Sequence, residues 1–188
     1  GAAILQSILA LELPPEERLR ALEGLVEMHH LDRMFDDFLA FVARSPVEAA
    51  SLDGYPGRIV RADRKEYEYE LDIDGKKSAV RRKQPWTRLS PASKLAVFES
   101  VPAPSMTREG FLGLADLAFR TGDEEGGQRS LLRLFKRNDS QDVVNAVLAR
   151  HLGIPVPKGG FVALEGKLVP PAAKAAERER RKRAEEAD

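Results

Sequence analysis

Residues 66–77 read Glu66-Tyr67-Glu68-Tyr69-Glu70-Leu71-Asp72-Ile73-Asp74-Gly75-Lys76-Lys77. Charged and apolar or aromatic residues alternate without a break up to Ile73, the period-2 pattern of a strand with one buried face. Tyr67, Tyr69, Leu71 and Ile73 fall on one face and the carboxylates on the other. Asp74-Gly75 predicts a two-residue hairpin turn, because a type I′ turn needs positive φ at both central positions. Lys76 to Lys83 then returns as the partner strand, with its cations across from the glutamates. The flanking sequence reads mostly as helix, so this stretch makes the expected class α+β.

Working outward, Gly57-Arg58-Ile59-Val60-Arg61-Ala62 predicts a short strand before the pair, and Gln84-Pro85-Trp86-Thr87-Arg88-Leu89 a further one after it. Three or four short strands around one Trp predict a small antiparallel β-module of SH3-like size, its pairing order left open. Upstream, Pro14-Pro15-Glu16-Glu17 is a helix start, since proline is tolerated in a first turn and carboxylates suit the positive end of the dipole. Leu19, Leu22, Leu25 and Val26 recur at helical spacing, as do Leu31, Met34, Phe35, Phe38, Leu39 and Val42. The two sets predict a helical hairpin with Asp32, Asp36 and Asp37 outside, ended by Ser45-Pro46. Downstream, Ser90-Pro91 starts a helix carrying Leu95, Val97 and Phe98. Val101-Pro102-Ala103-Pro104 is a stiff linker, and Met106 to Gly153 predicts three helices broken at Gly122-Asp123 and Asn138-Asp139-Ser140. Phe161 to Val169 reads as a small hairpin turning at Glu165-Gly166, and Ala172 to Asp188 as an exposed helix of Ala, Glu, Arg and Lys.

The chain has 188 residues, with 30 Lys+Arg against 30 Asp+Glu, 43% hydrophobic residues and no cysteine. That apolar share supports a packed core and excludes a wholly disordered chain. Lack of thiols removes disulfides, thiolate zinc sites and cysteine nucleophiles together. No apolar run approaches the roughly 20 residues of a membrane-spanning helix. Ala2 to Leu13 is apolar but lacks a basic leader and is not read as a signal peptide. The zero net charge is unevenly laid out: residues 1–55 carry −6, 56–90 carry +4, 91–153 are balanced and 154–188 carry +2. These steps coincide with changes of periodicity and set the expected modules. They are an acidic helical hairpin at 1–55, the β-module plus helix at 56–104, helical pairs at 105–153, a β-hairpin at 154–170 and a charged tail at 171–188.

In the helical pairs, Phe111, Leu114, Ala115, Ala118, Gly122, Gly127, Leu131 and Leu134 follow the order of large, small and turn positions that resembles a tetratricopeptide repeat. Asp139 stands where that family usually has proline. Leu148, Ala149 and Leu152 fit the start of a second copy, so the likeness covers residues 108–152. The whole arrangement, with its Trp-x-x-Leu-Ser-Pro end to the β-module and its Gly-Gly-Phe-Val hairpin, resembles a composite in large multidomain bacterial proteins of the planctomycete type. Some of those carry a protein kinase domain, but no Gly-rich ATP loop, His-Arg-Asp or Asp-Phe-Gly occurs here, so kinase activity is not implied.

Most residues with chemical potential have a structural role in the pattern. His29-His30 occupy adjacent helix positions about 100° apart and do not converge on one metal ion. His151 fits a helix C-terminus, where a cation is favoured. Asp72-x-Asp74-Gly75 begins like a calcium loop, but its spacing fails at the sixth and twelfth positions. Lys76, Lys77, Arg81, Arg82, Lys83 and Arg88, with Tyr67, Tyr69 and Trp86, have the composition of a nucleic-acid platform of phosphate contacts and stacking rings. Against it stands core burial of the rings and pairing of the cations with Glu66, Glu68 and Glu70. No catalytic, cofactor-binding or metal-ligating residue is assigned. The expected function is a non-catalytic protein-interaction or scaffolding module, part of a larger bacterial protein, holding a protein partner or neighbouring domain through Phe111, Leu114, Arg129 and Arg133. Nucleic-acid binding by the basic β-module is the alternative, and an uncharacterised enzyme the third.

Overall fold

The computed structural model describes residues 14–52, 55–73, 76–137 and 140–185, and for residues 50, 51, 73 and 76–80 the main chain alone. The described chain is α+β, with six helices, a four-stranded antiparallel sheet and a two-stranded sheet. In order these are α1 (Pro15–Val42), β1 (Val47–Leu52), β2 (Tyr55–Ala62), β3 (Glu66–Ile73), β4 (Lys76–Pro85), α2 (Pro91–Glu99), α3 (Arg108–Arg120), α4 (Glu124–Phe135), α5 (Gln141–Leu152), β5 (Val162–Leu164), β6 (Lys167–Val169) and α6 (Pro171–Glu185). Among the described residues no helix is long and apolar enough to cross a membrane.

The expected hairpin over residues 14–45 is instead one helix of 28 residues. Its apolar stripe changes phase near His29, but no residue there breaks a helix. His30, Met34, Phe38 and Val42, spaced by four, are buried, whereas Leu19, Val26 and Met28 in the first half are exposed. The phase change marks a change of neighbour along one helix, not a turn.

The sheet is a meander in the order β1-β2-β3-β4. Its fourth strand comes from Val47–Leu52, upstream of the expected module boundary, and not from Gln84–Leu89. Pro85 ends β4, and Trp86–Arg88 forms a single 3-10 turn. That turn is held by the Trp86 indole N–H donating to the Asp63 carbonyl at 2.7 Å. Tyr67, Tyr69 and Leu71 face the core as the alternation requires. The Asp74-Gly75 turn lies outside the described residues. Trp86, Phe35, Phe38, Phe98 and Tyr67 form one ring cluster, with Phe38–Phe98 centroids 5.0 Å apart and Tyr67–Trp86 centroids 4.8 Å apart. It joins α1, α2 and the sheet, so the core runs through the charge-defined boundaries.

The helix caps follow the sequence. Ser90 accepts from the Ser93 N–H, Thr107 from Gly110 and Asp123 from Gly126. Gly153 ends α5 in the left-handed region that glycine favours. Thr107 also donates its own N–H and hydroxyl to Asp37 Oδ2, each at 2.7 Å, which pins the start of α3 to α1. The two helices approach closely because Gly113 leaves room for the α1 backbone at His30 and Gly110, one turn earlier on α3, for the Asp37 side chain. The β5–β6 hairpin turns at Glu165-Gly166, both with positive φ. It is moored by buried Phe161 and Leu168, whose N–H groups donate to Asn145 Oδ1 and Gln128 Oε1. α6 buries none of its residues and carries Glu177–Arg181 and Glu179–Arg183 pairs along its surface.

Candidate functional site

Two places assemble charged groups. The first is the solvent face of the sheet. Pairing sets Glu48, Arg58, Glu70 and Arg81 side by side across four strands, and Arg61, Glu68 and Lys83 across three. Alternating signs across a sheet attract. Arg58 and Arg81 both bind Glu70, at 2.6 and 3.1 Å, and Lys83 binds Glu66 and Glu68 at 3.0 and 3.2 Å. The Arg58 guanidinium, then that of Arg81, holds the Glu70 carboxyl below its ordinary value. The Glu66 carboxylate, then that of Glu68, pushes the Lys83 ammonium up. Arg64, at the β2–β3 turn, reaches Asp32 at 2.8 Å and Asp36 at 2.6 Å, so the acidic helix and the basic module contact each other directly.

This geometry corrects the stacking platform. Tyr67, Tyr69 and Trp86 are buried and cannot receive bases, and Arg81 and Lys83 bind carboxylates of β3 while more than half of each side chain stays exposed. Arg82 and Arg88 are exposed, while the Lys76 and Lys77 side chains lie outside the described residues. A pH dependence follows from Glu70. Its folded value is depressed, so its contribution is full above the unfolded value of about 4.3 and is lost as pH falls through the folded value. The Tm gap between the wild type and Glu70→Gln is therefore expected to be widest near neutrality and to close on acidification. A gap that stays constant down to acid pH contradicts the assignment.

The second place is a cleft of about 200 Å³ where α1, α3 and α5 meet, lined by Glu27, Asp116, Phe119, Arg120, Val147, Arg150 and His151. At its floor the buried Asp116 carboxylate accepts from His30 Nδ1 at 2.9 Å and from Arg150 Nη2 at 3.0 Å. Glu27 pairs with Arg150 at 3.5 Å and with Arg120. At the rim His151 donates from Nε2 to Glu124, 2.9 Å from each oxygen, and lies flat on the Phe119 ring at 3.7 Å. His30 and His151 thus each meet a carboxylate, while His29 is exposed. The lining holds no hydroxyl, thiol or amine for His151 to activate.

The partner residues expected from sequence are placed differently. Phe111 and Leu114 are each 1% exposed, so they belong to the core and touch no external partner. α3 buries Phe111, Leu112, Leu114, Ala115 and Ala118, and its main neighbours are α1 and α4. Arg129 is on the surface, 3.5 Å from Glu99 and 3.7 Å from Asp123, and Arg133 is exposed. Sequence reasoning did not single out Glu27, Asp116, Arg120 or Arg150. One signal was there: Asp116 interrupts the apolar run Phe111 to Ala118, and His30 stands in register with Met34, Phe38 and Val42. A polar group on an apolar stripe is a buried-network candidate. Among the described residues no group of three or more His, Cys, Asp or Glu is disposed to hold a metal ion. Comparison of the chain with models of known protein families, with curated proteins and with solved structures finds no match.

Proposed function

We propose that the chain is a non-catalytic protein-interaction module whose contact surface is the α1/α3/α5 cleft and the strip that follows α5. The observation that carries this reading is the strip itself. Leu152, Ile154 and Val156, three apolar side chains in five residues, are 42%, 39% and 48% exposed immediately after the cleft residue His151. The Ile154 N–H donates to the Ala149 carbonyl at 3.0 Å, and Pro155 and Pro157 stiffen the strip, so little freedom is lost when a partner lands on it. Exposed apolar residues beside fixed charges match the make-up of a recognition surface.

The test is a peptide selection against the whole chain. Selected binders are expected to lose at least about tenfold in affinity, near 1.4 kcal/mol, against an Ile154→Glu/Val156→Glu variant of unchanged Tm. Binders indifferent to that change, or no binders at all, sink the reading.

A further inference from the structure

The sheet has two edges, and they are treated differently. β1 at one end is packed by α2. β4 at the other end is the last strand in the order, and among the described residues no main-chain segment hydrogen-bonds along its outer side. It is 10 residues long; its register with β3 shifts between Lys77 and Arg81, and in the regular stretch from Arg81 to Gln84 alternate residues turn their N–H and C=O away from β3.

The signs on the solvent face add a second observation. The row across the sheet runs minus, plus, minus, plus through Glu48, Arg58, Glu70 and Arg81, and the neighbouring row runs plus, minus, plus through Arg61, Glu68 and Lys83. Both rows end on β4 with a cation, Arg81 at 65% and Lys83 at 59% side-chain exposure. A further strand would lie about 4.8 Å beyond β4. The next sign in both rows is negative. Arg82, between them on the opposite face and also exposed, sets the same preference there.

The geometry points to β4 as a docking edge for an extended acidic peptide segment, added as a fifth strand with carboxylates opposite Arg81 and Lys83. The recognition is main-chain pairing for affinity and alternate carboxylates for selectivity. A second copy of β4 is the wrong occupant, because antiparallel pairing centred on Arg82 sets Arg81 against Lys83 and Arg82 against itself. The cations therefore refuse self-association and admit acid. Nucleic acid fits less well. It would lie over the face, where Glu66, Glu68 and Glu70 interleave with the cations, and the rings that would stack bases are buried. An added strand meets the cations of β4 first, with those carboxylates one strand further away.

The experiment uses the whole chain and four probes: an eight-residue peptide alternating glutamate and valine, its lysine counterpart, a glutamate peptide of equal charge with proline at every second position, and a single-stranded oligonucleotide of equal charge. Binding is read by fluorescence anisotropy, and strand addition by hydrogen exchange of the β4 amides. The glutamate–valine peptide is expected to bind and to slow exchange at alternate β4 amides. Its Kd should rise at least tenfold in Arg81→Glu/Lys83→Glu and severalfold in Arg82→Glu, a change that leaves the Glu66, Glu68 and Glu70 pairs intact. The lysine peptide is expected not to bind. Equal binding of the proline peptide means charge attraction without strand pairing and overturns the proposal. So does stronger binding of the oligonucleotide, or no binding of the glutamate–valine peptide at millimolar concentration.

Discussion

Gly113→Val is expected to lower the unfolding free energy by about 3 kcal/mol or more, the upper range for overpacking a close-fitted contact. A Cβ at Gly113 would overlap the His30 carbonyl oxygen and stand 2.8 Å from Met34 Cβ. The obstacle on α1 is backbone, which has no rotamer to move into. Relief requires α3 to shift away from α1, along the interface where Thr107 binds Asp37 and Asp116 binds His30. Intrinsic propensity acts the other way, since a helix gains roughly 1 kcal/mol when an interior glycine is replaced by alanine. Gly24 isolates that opposing effect. It also lies inside a helix, but among the described residues nothing stands within 4 Å of its would-be Cβ, so Gly24→Ala is expected to stabilise by up to about 1 kcal/mol. Urea denaturation checks both: the midpoint should fall for Gly113→Val and rise for Gly24→Ala with little change of slope. Both midpoints rising would show that propensity, not the α1–α3 approach, governs these sites.

The second large effect is expected at Asp116. Its carboxylate is 4% exposed and is the shared acceptor for His30 and Arg150, which come from different helices. Asp116→Ala leaves a buried imidazole without its acceptor and removes one of two anchors of the Arg150 guanidinium. Breaking a buried charged pair by deleting one member costs about 3–5 kcal/mol. Arg150 keeps Glu27 and is partly exposed, which places the expectation near the lower end, at about 3 kcal/mol. Asp116→Asn retains an acceptor and should cost less. A thermodynamic cycle of Asp116→Ala with Arg150→Ala should show coupling of about 1 kcal/mol or more, because the two groups touch. If Asp116→Ala stays within about 0.5 kcal/mol of wild type, the network is ornamental and the cleft floor is not held by it.

Much of the local structure was legible in the chain. The alternation from Glu66 to Ile73 identified β3 and the inward face of Tyr67 and Tyr69, and the same logic located the small hairpin at Glu165-Gly166. Ser90, Thr107 and Gly153 marked helix ends correctly. The errors share a cause. Two apolar stripes out of phase look alike whether a helix turns back or changes neighbour, so the pattern of α1 suits two helices as well as one. β1 contains Ala49 and Ala50, small residues with weak strand character, and becomes a strand by pairing with β2 and packing under α2. The candidate site was less legible still. The apolar face of Phe111 and Leu114 shows in the sequence only that something covers it, and here neighbouring helices do, α1 and α4 foremost.

By itself, the sequence determined where elements start and stop and which side of each is apolar. Those properties depend on neighbours within about four residues, through caps, turn dihedrals and side-chain periodicity. It also determined the α+β class, since a period of two and a period of 3.6 cannot be exchanged. Only the tertiary structure decided which faces meet. His30 and Asp116 are 86 residues apart, Asp116 and Arg150 are 34 apart, and Arg64 lies 32 and 28 residues from its two aspartates. Apolar burial is non-directional and says only that a stripe will be covered. The choice of cover comes from shape, from the room left by Gly110 and Gly113, and from the few charged groups that must find partners once water is gone.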